Sequence, residues 1–80
     1  MKIVMRDGRV FQGTAMQIVQ AMRAIAFNVD DFSFEQYVDW VVTNARRLEE
    51  VELNVQGATD EEKAASLMQE MVRSGLAQRA

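Results

Sequence analysis

Cysteine, proline and histidine are missing altogether from this 80-residue chain. Without Cys there is no disulfide and no thiolate metal site. Without His the commonest transition-metal ligand is gone, and so is the usual general base near neutral pH. The lack of Pro suits a compact chain with short connections. Lysine is nearly as scarce, at Lys2 and Lys63 only, so nucleophile-and-base pairs have few candidates. No apolar run approaches the length of a membrane span. Met1 to Asp7 lacks the long apolar core of a secretion signal. These absences point to a cytoplasmic protein without a membrane partner, a bound metal or a cofactor.

What is present reads as an ordinary globular domain, with 49% hydrophobic and 26% charged residues. A net charge of −3 argues against a general nucleic-acid binder. Eighty residues make one domain, 1-80. A chain this short buries only about 60–65% of its unfolded surface. Small scaffolds of this kind add a staple, and oligomerisation is the one still open.

The stretch around which the chain is organised is Phe34 to Glu50. Phe34, Tyr37, Val38, Val41, Ala45 and Leu48 recur at helical spacing. Ser33 and Gln36 form a capping box, and Arg46 and Arg47 suit the negative end of the helix dipole. A helix over 34-49 follows. Trp40 sits on the flank of the stripe, in line with Tyr37, Asn44 and Arg47. Two readings compete for it. Trp40 is either the edge of the core, or a contact anchor for a partner or a second copy.

Before this helix, Asp7-Gly8 between two short apolar runs predicts a hairpin over 2-12 with a two-residue turn. That register puts Met5 opposite Val10 and Val4 opposite Phe11. Met5 and Val10 then share a face with Ile3. Thr14 and Gln17 cap a helix over 14-27, with Asn28 as its stop. After the central helix, Val51-Glu52-Leu53-Asn54-Val55 alternates at period two and predicts a strand over 51-55. Thr59 and Glu62 cap a last helix over 60-74, ended by Gly75. Gln78-Arg79-Ala80 reads as a frayed end. The expected fold is α+β, β-β-α-α-β-α, a small three-stranded antiparallel sheet with three helices packed mainly on one face.

Residues Ile3 to Thr14 resemble the first hairpin of the Sm-like RNA-binding proteins, with a strand, a D-G turn and a second strand ending in Gly. The resemblance covers about a dozen residues. It stops at Thr14, where this chain enters a helix and an Sm-like chain continues in strands. No RNA-binding residue is carried over.

No catalytic constellation emerges. Ser33, Ser66 and Ser74 read as a cap or as solvated helix positions. Asp30-Asp31, Glu49-Glu50 and Asp60-Glu61-Glu62 lie at loops and helix ends, and Asp30-Asp31 lacks the spacing of a calcium loop. The first helix alone opens without an acidic residue, so Gly13 and Thr14 form a candidate anion contact. Arg6 and Arg9 at the hairpin tip would add to it. The leading expectation is a non-catalytic, self-associating protein-interaction module using Tyr37, Trp40, Asn44 and Arg47. Met residues at 5, 16, 22, 68 and 71 suit adaptable contacts as well as core filling. The alternative is weak nucleic-acid or phosphate-ligand binding through Arg6, Arg9 and the Thr14 helix start.

Overall fold

A computed structural model describes residues 1–26 and 29–80. Strands β1 (Lys2–Met5) and β2 (Val10–Gln12) are followed by helices α1 (Ala15–Ile25), α2 (Phe34–Glu49) and α3 (Asp60–Ser74), and then by strand β3 (Ala77–Arg79). The expected α+β architecture is present, with an antiparallel sheet of order β2-β1-β3 and three helices. The order along the chain is β-β-α-α-α-β, because the third strand follows the last helix. The end of the first helix at Phe27 and its stop at Asn28 lie outside the described residues.

All three capping boxes form at the residues that announce them, Thr14 with Gln17, Ser33 with Gln36 and Thr59 with Glu62. Each needs only a hydroxyl and a carbonyl or carboxylate oxygen three residues apart, so short-range chemistry decides it.

The hairpin is one residue out of the expected register. Ile3 pairs with Phe11 and Val4 with Val10. The loop has three residues, Arg6-Asp7-Gly8, closed by Gly8 N–H on the Met5 carbonyl at 2.9 Å and by Met5 N–H on the Arg9 carbonyl at 2.7 Å. Gly8 takes a left-handed φ of 94°, as in the three-residue hairpin that carries a bulge. The Asp7 carboxylate selects this loop by accepting the Arg9 backbone N–H at 3.0 Å and Arg9 Nε at 2.7 Å. A one-residue slip exchanges faces. Ile3 and Phe11 therefore turn toward the helices together, while Val10 is exposed on the outer face.

The predicted strand over 51-55 is not a strand. Its alternation is real, since Leu53 is buried and Val51 and Val55 are half-buried, but its partner is α3 rather than a sheet edge. Asn54 N–H donates to Glu70 Oε1 at 2.8 Å and Gln56 N–H to Ser66 Oγ at 2.9 Å, while the Arg73 guanidinium donates to the Glu52 carbonyl at 3.1 Å. Two extended residues advance about 6.6 Å and four helical residues about 6 Å. Alternate amides of the extended segment thus meet side chains one helical turn apart. Ser66 is a hydrogen-bond anchor here, not a solvated position.

The same hydrogen bonds make the strap sensitive to acid. Arg73, and then the Asn54 N–H, hold the Glu70 carboxyl below its ordinary value of 4.5. The Ala58 and Thr59 N–H groups do the same for Glu62. With folded pKa values depressed, each contribution is complete above the unfolded value and is lost as pH falls through the folded one. The thermal midpoint should fall between about pH 5 and pH 3, and less steeply in Glu70→Gln. Equal slopes in the two proteins would remove Glu70 from the account.

The third strand, Ala77–Arg79, takes in Gln78 and Arg79 from the end expected to fray. Gly75, at φ 85°, ends α3 in the left-handed conformation and turns the chain back along β1. Met5 then pairs with Ala77 and Val4 with Gln78. The Arg6 N–H on Leu76 O at 2.9 Å and the Ala80 N–H on Lys2 O at 3.0 Å close the two ends of this ladder. Ala-Gln-Arg has neither β-branched residues nor alternation. The unpaired edge of β1 makes it a strand.

Helix α3 is the hub of the packing. It contacts α1, α2 and β3, and its Ala64, Leu67, Met68 and Met71 are all buried. Among the described elements, α3 is the main support of α2. At its end Glu50 is left-handed at φ 56°, and the Glu50 and Val51 N–H groups both close on the Ala45 carbonyl. A non-glycine residue there carries a strain of roughly 1–2 kcal/mol. Glu50→Gly is expected to raise stability by about 1 kcal/mol, read as a higher urea midpoint at unchanged m. A lower midpoint would contradict this geometry.

Candidate functional site

With α3 as the main support of α2, a cleft is left between α2, the C-terminal half of α1 and the tip of the hairpin. It measures about 540 Å³. Its floor consists of buried Met22, Met71, Leu76 and Ala45 with half-buried Met5 and Phe11. Ile25 stands on one rim at 49% exposure and Leu48 on the other at 73%. The α2 residues that line it, from Tyr37 to Glu49, run over three helical turns. Met5, Met22 and Met71 give the floor a deformable lining, which suits a surface that adapts to what it binds.

The expected interface residues divide here. Tyr37, Trp40 and Asn44 line the cleft, whereas Arg47 does not. Tyr37 is buried and stacks on half-buried Trp40, with ring centroids 5.8 Å apart and planes at 25°. Burial pushes the Tyr37 phenol up to about 12, against the opposing pull of the Arg9 and Arg23 guanidiniums. The phenol therefore stays protonated near neutrality and offers a hydrogen-bond donor, not a base. Arg23 also donates to the Phe32 carbonyl, tying α1 to the segment that enters α2.

Leu48 departs from its expected place in the core stripe. It stands at the end of the stripe, in the last turn of α2. Spacing alone could not show that no element covers that turn. Nor did the sequence reading include Met22, Ile25 or Met71 in a site. Their only signal was the heavy use of Met.

The candidate anion residues are each engaged within the chain. Arg6 donates to Glu49 Oε2 at 3.0 Å and to the Gly75 carbonyl at 3.3 Å. Arg9 is held by Asp7 at 2.7 Å. Thr14 N–H donates to Gln17 Oε1 at 2.9 Å, and Gly13 N–H to the Met1 carbonyl at 2.9 Å. A phosphate arriving at the hairpin would have to displace Glu49 or Asp7. Among the described residues no group of three or more carboxylates could hold a metal ion, and no helix is long and apolar enough to cross a membrane. No known protein family, curated protein or solved structure matches the chain.

Proposed function

We propose that this protein is a small non-catalytic protein-interaction module that self-associates through the cleft beside α2. The observation that carries the reading is Leu48. A leucine 73% exposed on the rim of a largely apolar cleft leaves apolar area in water at roughly 25 cal/mol per Å², and a partner would recover it. Half-buried Trp40, held in place by its stacking on buried Tyr37, is a rigid aromatic anchor of the kind that dominates contact energetics. The proposal extends to a cytoplasmic setting, with which a Cys-free chain is compatible.

Sedimentation equilibrium of the wild type and of Leu48→Asp tests this. The wild type should associate in the micromolar range. Leu48→Asp should remain monomeric with its thermal midpoint at low concentration unchanged, because the side chain is exposed in the single copy. A variant that associates as the wild type does would move the contact away from this cleft. The second reading, weak nucleic-acid or phosphate binding at Arg6, Arg9, Gly13 and Thr14, has in its favour only the Ala15 and Met16 N–H groups. These have no partner among the described residues. It ranks below the first.

A further inference from the structure

The cleft-side flank of α2, exposed at Arg47 and Leu48, half-buried at Trp40, Val41 and Asn44 and buried at Tyr37, is self-complementary, and this deepens the reading of the cleft as a contact surface. At about 100° per residue, Arg47, Trp40, Asn44, Tyr37, Leu48 and Val41 fall in that order within an arc of about 120°. Arg47 is the only charge in the arc. Glu35, Asp39, Arg46 and Glu50 project elsewhere, and Glu49, at the end of the cleft, is paired with Arg6. The stripe from Tyr37 to Leu48 is about 16 Å long. A volume of about 540 Å³ spread over that length is too narrow for the body of a helix about 10 Å across. It accepts one row of side chains from a helix lying over the rim.

That row is present on α2 itself. Set two copies of α2 antiparallel about an axis through Asn44, and residue numbers that sum to 88 face one another. Leu48 then meets Trp40 of the second copy, so the most exposed large apolar side chain among the described residues lies over the protein's one indole ring. Asn44 meets Asn44, and a carboxamide is both donor and acceptor and can pair with its own kind. Arg47 meets Val41 beside the Trp40 ring, where a guanidinium is attracted to the π face. Arg47 takes part in no ion pair among the described residues. A parallel pairing would instead oppose Arg47 to Arg47. We propose that a second copy of this chain docks on this face, α2 against α2 and antiparallel, with Asn44 on the two-fold axis. The inference rests on the cleft being the self-association surface and adds how the two copies are arranged on it.

The absence of Cys makes the test direct. Asn44→Cys puts one thiol on the axis, within disulfide reach of its counterpart. Gln69→Cys, on the exposed side of α3, serves as the collisional control. Under mild oxidation Asn44→Cys should form a covalent dimer at least about tenfold faster than Gln69→Cys, and adding Leu48→Asp should return it to the control rate. Because the substitution removes the amide pair, wild-type sedimentation between about 1 and 200 µM is read alongside it. A wild-type dimer whose Asn44→Cys variant links no faster than the control overturns this arrangement and leaves self-association standing. A wild type that stays monomeric throughout, with its cleft bare or carrying a small apolar molecule in native mass spectrometry, overturns both.

Discussion

Leu67→Ala is expected to cost about 3 kcal/mol and to lower the thermal midpoint by about 12–24 °C. Leu67 is fully buried in the middle of α3, the helix on which α1, α2 and β3 all rest. The cavity left by its truncation would be walled by elements already fixed by one another, so it has little freedom to collapse. For a domain whose total stability is about 5–15 kcal/mol, that is a large share. Val72→Ala, five residues further along α3 and half-buried, should cost about 1 kcal/mol. Urea unfolding with an unchanged m value measures both. A Leu67→Ala cost no greater than that of Val72→Ala would mean that α3 is not the hub.

That contrast bears on how the chain is read. Phe34 to Glu49 is the most conspicuous stretch because it holds the Trp, the Tyr and a long apolar stripe. Yet it packs mainly on one helix, and its flank lines an open cleft. Helix α3 is less conspicuous, with Ala, Leu and Met on its inner face, and α1, α2 and β3 rest on it. Aromatic content marks where large surfaces are, and some of those surfaces are the ones left uncovered. The exposure of Leu48 has the same origin. A helical wheel shows which residues share a face but not where the neighbouring element ends.

Features that depend on residues within four of each other were legible. The capping boxes at Thr14, Ser33 and Thr59 and the glycine stop at Gly75 all formed as read. Features that depend on distant partners were not. The hairpin register is a local exception to this division. It turned on whether Asp7 would accept the Arg9 amide two residues on, which an Asp-Gly pair does not announce. That bond lengthened the loop by one residue and exchanged the faces of Phe11 and Val10. The 51–55 alternation correctly marked an extended, half-buried segment. Its amides found Ser66 and Glu70 rather than a strand, and nothing in a period-two pattern names the partner. The cleft was half legible. Tyr37, Trp40 and Asn44 were grouped from α2 alone, while the opposite wall came from α1 and from the floor that α3 supplies.

The sharpest test of the corrected topology lies in the last few residues. Ala77→Asp is expected to destabilise the protein by at least about 4 kcal/mol, enough to unfold much of it, whereas Gln78→Asp next to it should change stability by less than about 0.5 kcal/mol. Ala77 is buried opposite Met5 on the helix-facing side of the sheet. A carboxylate there would lose its water and gain no cation in exchange. Gln78 is exposed opposite Val4, on the other face. Two adjacent aspartates with opposite outcomes can arise only if the segment is a pleated strand in fixed register, because a frayed end would leave both in water. Circular dichroism thermal melts of the two variants separate the cases. If both melt like the wild type, β3 is not paired with β1, and the β1 edge that Gly75 turns the chain toward must be satisfied in some other way.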